Sequence, residues 1–127
     1  MRTLRYLLTG GPRSLDDCLD RSKHAPPESV AVELQARPVF SEVYDMVELR
    51  AVCDWRFNGT TVRTHEVCGV IFDRDSDDVR RQQLAGANRR LERLLEQVGA
   101  LGVHPAGADR RFELSPVTSS WRMATCS

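Results

Sequence analysis

The sequence predicts an α+β fold: an antiparallel or mixed sheet of about five strands, built around a hairpin at residues 46–72, with one long and one short helix packed on a face. Three observations predict it. Asn58-Gly59 stands between two runs of alternating apolar and polar residues, and a type I′ turn, with positive φ at both central residues, accepts that dipeptide best. Leu84, Ala87, Leu91, Leu94, Val98 and Leu101 recur at steps of three and four, the spacing of one helical face. The chain has 127 residues, enough for one hydrophobic core and too few for two, so residues 1–127 are expected to form a single domain.

From the amino end, residues 2–9 place Leu4, Tyr6 and Leu8 on one face, as a short strand does. Gly10-Gly11-Pro12 breaks it. Ser14 is a helix cap, Asp16 and Asp17 follow in the first turn, and Leu15, Cys18 and Leu19 share a side, which predicts a helix over 14–22. His24 falls in a loop with Pro26 and Pro27; Val30, Val32, Leu34 and Ala36 then alternate up to Pro38, giving a strand over 29–37.

In the hairpin, Val47, Leu49, Ala51, Cys53, Trp55 and Phe57 share one face. A two-residue loop pairs Phe57 with Thr60, Trp55 with Val62, Leu49 with Cys68 and Val47 with Val70, and on the other face it sets Asp54 opposite Arg63. Away from the turn both faces become apolar, because Met46, Val52, Val67 and Ile71 fall on the outer side. The long helix is expected over 76–98, capped by Asp75 or Ser76, with Asp77 and Asp78 at its positive end and Gly99 or Gly102 as its stop. Val117, Ser119, Trp121 and Met123 alternate as a closing strand over 117–123.

Eighteen basic and eighteen acidic residues cancel, which removes the overall field of an avid, non-specific nucleic-acid binder. The amino end has too short an apolar stretch for a secretory signal, and no run is long enough to span a membrane. Cys18, Cys53, Cys68 and Cys126 show no C-x-x-C spacing; Cys53 and Cys68 lie about 13 Å apart along the paired strands, too far for a disulfide. Free thiols in a reducing cytoplasm are expected, with no metal and no cofactor.

Several patterns touch on chemistry. Asp73, Asp75 and Asp77 match the start of a calcium loop, but Asp78 stands where the loop needs Gly and Leu84 where it needs a bidentate Glu. Asp16, Asp17 and Asp20 suit a solvated helix start better than a magnesium–diphosphate site, which needs a larger cavity. Gly10, Gly11, Arg13 and Ser14 join a strand to a helix start and form the candidate anion site. His65 and Cys68, an odd number of residues apart on a strand, point to opposite faces and make no catalytic dyad. Arg80, Arg81, Arg89, Arg90 and Arg93 form a candidate phosphate-contacting face. The order helix, three strands, helix resembles that of small double-stranded-RNA-binding modules, although Asp77 and Asp78 replace the lysines those modules present to phosphate.

The functional expectation is therefore a non-enzymatic protein-interaction module, homo-oligomeric, acting as an assembly component or a small inhibitor or regulator of viral or bacterial type. Its expected partners are itself and another protein, with no membrane, and its candidate interface is Met46, Val52, Val67, Ile71 and Leu95. The alternative is a module that holds a nucleotide or nucleic acid through its arginines. A third is a small enzyme with its site at a subunit interface.

Overall fold

A computed structural model of the chain describes residues 14–40, 45–114 and 123–124. The elements in order are α1 (Leu15–His24), β1 (Ser29–Phe40), β2 (Asp45–Phe57), β3 (Thr60–Phe72), α2 (Asp77–Gly99), β4 (Glu113–Leu114) and β5 (Met123–Ala124). The three long strands form one antiparallel sheet in the order β1-β2-β3, and β4 and β5 form a separate two-stranded ribbon. The described sheet thus has three strands where about five were expected. The strand over 2–9 and most of that over 117–123 lie outside the described residues.

Local chemistry fixes the ends of the helices. The Ser14 hydroxyl accepts the Asp17 N–H at 3.1 Å and the Ser76 hydroxyl accepts the Val79 N–H at 3.3 Å, each satisfying a donor that the first helical turn leaves open. Helix α1 runs two residues past the expected end, so His24 belongs to its last turn and not to a loop. Helix α2 closes at Gly99, and Gly102 takes the positive φ of 85° beyond it. Asn58 and Gly59 have φ of 49° and 79°, as a type I′ turn requires.

Strand β1 continues through Pro38 to Phe40, three residues beyond the expected end. The Val32 N–H donates to Ala106 O at 2.8 Å, and Val30 O accepts the Ala106 N–H at 2.9 Å. Even-numbered residues of β1 therefore aim their backbone polar groups away from β2, so Pro38, also even, gives up no ladder hydrogen bond.

The hairpin register agrees with expectation from the turn to Arg50. Phe57 pairs with Thr60 and Trp55 with Val62, and Asp54 receives a forked pair from Arg63 at 2.8 and 3.1 Å. There the register shifts: Arg50 faces Val67, but Leu49 faces Gly69, leaving Cys68 as the extra residue of a β-bulge. The expected pairs Leu49–Cys68 and Val47–Val70 are thus corrected to Leu49–Gly69 and Val47–Ile71. Packing supplies the reason. A Cβ on Gly69 would lie 3.0 Å from the Ala87 Cβ, so α2 packs tightly against the sheet at this glycine. The bulge also turns both Cys68 and Ile71 into the core, and burying an isoleucine side chain stabilises the fold by about 1.5–3 kcal/mol.

One core lies between the sheet and both helices. Cys18 of α1 and Ala87, Leu91, Leu94 and Val98 of α2 join Val30, Val32, Leu34, Leu49, Ala51, Cys53 and Trp55 of the sheet. Trp55, fully buried, donates its indole N–H to the Thr64 hydroxyl at 2.9 Å. The Arg21 guanidinium sits 4.3 Å over the Phe57 ring, a cation–π contact that ties α1 to the turn end of the sheet. Past α2, the Asn88 carboxamide holds Phe112 as a strand neighbour would: it donates to Phe112 O at 3.0 Å and accepts the Phe112 N–H at 2.9 Å. Phe112 is buried as a result.

Candidate functional site

The sheet buries one face under the helices, and the register places the other. Its outer face carries Ala31, Asp54 and Arg63 near the turn, then Glu33, Val52 and His65, then Gln35, Arg50 and Val67, and lastly Val39, Met46 and Phe72. Of the candidate interface residues, Val67 is 40% exposed, Met46 is half-buried and Val52 is buried. The bulge removes Ile71 from this face and brings half-buried Val70 onto it instead. Val67, Val70, Met46 and Phe72 thereby form an apolar corner at the end away from the turn. Beside it, Arg50 Nε is buried with no acceptor among the described residues. Leu95 lies elsewhere, on α2, half-buried against the core.

The arginine cluster divides in two. The Arg80 side chain, only 12% exposed, reaches Asp73 O at 3.2 Å and pairs with the Asp77 carboxylate; Arg81 pairs with Asp78 at 3.3 Å. The Arg80 guanidinium in turn holds the Asp77 carboxyl below the usual range. Gln83 donates to Asp75 at 2.8 Å, so the acids that resemble a calcium loop build the start of α2. Arg89, Arg90 and Arg93 are exposed, with Glu92 and Glu96 interleaved among them. Of the candidate anion site, Gly10, Gly11 and Arg13 lie outside the described residues, and the Ser14 hydroxyl is engaged as a cap.

Two concavities lined by described residues lie on the surface. One, of about 400 Å³, is lined by Glu92, Leu95, Glu96, His104, Pro105 and Arg111, with Glu92 paired to Arg111 at 3.8 Å. The other, of about 410 Å³, lies between the start of α1 and β3, against Asp16, Arg63, His65 and Glu66. Among the described residues no group of three or more His, Cys, Asp or Glu side chains is placed to hold a metal ion. No helix among them is long and apolar enough to cross a membrane.

The thiols show how the core treats ionisable groups. Cys18, Cys53 and Cys68 are free and buried, while His65 is exposed on the opposite face from Cys68. Burial pushes the thiols from their ordinary 9.0 up to about 12, about 12 and about 11 respectively. They are poor nucleophiles at neutral pH. Because the folded values are raised, the unfolded chain loses these protons first as pH increases. Their contribution to stability is complete below about pH 9 and declines toward pH 11–12. The urea midpoint is therefore expected to fall between pH 8.5 and 10.5, and replacing Cys53 with Ala should flatten that fall.

Sequence reasoning missed Asn88, Gly69 and Gly107. Gly69, an isolated glycine inside a strand pattern, was a legible sign of a bulge. No family model, no curated protein and no solved structure matches this chain.

Proposed function

We propose that this chain is a non-enzymatic protein-interaction module that works as a homo-oligomer, either as an assembly component or as a small inhibitor or regulator of viral or bacterial type. The apolar corner of the outer sheet face carries this reading. Val67 is 40% exposed there beside half-buried Met46 and Val70, and contiguous apolar surface of this kind gains free energy when a partner removes it from water. Among the described residues, Met46, Val67 and Val70 do not belong to the core between the sheet and the helices. Three buried free thiols suit a reducing, cytoplasmic setting.

A second reading, an anion-binding module for nucleotide or nucleic acid, draws support from Arg89, Arg90 and Arg93, which are exposed and make no ion pair among the described residues. The interleaved Glu92 and Glu96 weaken that face for phosphate. Light scattering after size exclusion, with absorbance followed in both the protein and nucleic-acid bands, separates the two readings. A defined oligomer without nucleic-acid absorbance is expected. A monomer whose nucleic-acid absorbance is stripped by high salt would overturn the first reading in favour of the second.

A further inference from the structure

On the outer face of the sheet the register lines up two adjacent rows across the three strands: Arg37, Glu48 and Val70 in one, Gln35, Arg50 and Val67 in the other. Val67 and Val70 are three residues apart, so in a regular strand they would point to opposite faces. The bulge between them sets both on the outer face, one beside Arg50 and one beside Glu48. Arg37 and Val67 are exposed, and the other four are half-buried. The two central charges are left over within one copy. Among the described residues neither Glu48 nor Arg50 makes an ion pair, and Arg50 Nε is buried without an acceptor, a costly state for part of a cation.

Two sheets stack face to face about 10 Å apart. A two-fold axis lying between the faces, running across the strands and midway between these two rows, brings a second copy over the first with its strands reversed. Each residue then stays over its own strand of the second copy and only its row is exchanged. Arg50 faces Glu48 of the second copy, Val67 faces its Val70, Arg37 faces its Gln35, and each contact occurs twice. In the flanking rows Met46 falls over Val52, Phe72 over His65 and Val39 over Glu33. No like charges face each other. A two-fold running along β2 would instead set Arg50 against Arg50 and Glu48 against Glu48, which repulsion disfavours.

We infer that the outer sheet face is a self-association surface, its occupant a second copy of this chain stacked about this two-fold, with reciprocal Arg50–Glu48 pairs at the centre and Val67–Val70 contacts beside them. This inference rests on the homo-oligomer reading and gives its geometry. The four rows span about 20 Å along the strands, and the three strands about 10 Å across them. Such a footprint lies at the small end of specific interfaces, so the association is weak.

The test measures the mass of full-chain variants by light scattering at a concentration where the wild type associates, with circular dichroism verifying the fold. Arg50→Glu and Glu48→Arg are each expected to fall to monomer mass, because like charges then face each other at both central contacts. Their equimolar mixture is expected to recover a heterodimer, since one copy then carries two carboxylates and the other two guanidinium groups; a pairing confined to one copy gives no such rescue between molecules. Val67→Lys, at an exposed position, sets a charge against Val70 of the second copy and is expected to be monomeric with the fold intact. Folded variants that keep the wild-type mass, or a mixture that stays monomeric, would overturn this face and leave the homo-oligomer reading standing. A wild-type chain that is itself monomeric would overturn both.

Discussion

Trp55→Ala is expected to lower stability by about 3–5 kcal/mol, the range for truncating a large buried aromatic residue. Trp55 is fully buried on the central strand, its ring lies parallel to Phe57 with centroids 6.3 Å apart, and its indole N–H is taken by Thr64. The substitution removes the ring, leaves a cavity, and strips the buried Thr64 hydroxyl of its donor. Against a total of about 5–15 kcal/mol for a domain, this loss brings the chain close to unfolding. Urea denaturation should show a much lower midpoint with the slope unchanged. A shift equivalent to less than about 1 kcal/mol would mean that the core is not organised around β2.

Gly107→Ala is expected to cost about 2–5 kcal/mol, combining about 1–2 kcal/mol for a left-handed residue with about 1–3 kcal/mol for overpacking. Gly107 has a φ of 86°, and a Cβ there would lie 2.4 Å from Val32 O. A backbone oxygen in a paired strand cannot move aside as a flexible side chain does. The segment must lift from β1, breaking the two hydrogen bonds between Ala106 and residues Val30 and Val32. Hydrogen exchange should find the Val32 and Ala106 amides deprotected far more than those of β3. Unchanged protection there would contradict the docking of this segment.

Legibility in the sequence followed the range of the interactions. The Asn58-Gly59 turn depends on the φ of two adjacent residues, and the caps at Ser14 and Ser76 on hydrogen bonds spanning three residues, so both could be read directly. The register near the turn was fixed by both faces at once, apolar against apolar inside and Asp54 against Arg63 outside. It failed at Cys68, where Ala87 of α2 presses on Gly69, because a contact between distant elements leaves no periodic trace. The same holds for the Asn88–Phe112 pairing and the Ala31–Ala106 bridge. Composition suggested an arginine face as a unit. The structure divides it, because Arg80 and Arg81 are held by the acids that begin α2 while Arg89 and Arg93 are not. Of the candidate interface, Val67 and Met46 stay on the outer face, and Ile71 leaves it through the bulge.

Self-association is the central claim, and sedimentation equilibrium of the intact chain from about 5 to 200 μM, the range in which small interfaces associate, tests it most directly. A weight-average mass that rises with concentration to a defined multiple of 14.3 kDa is the predicted result. A mass fixed at the monomer value across the whole range would contradict it.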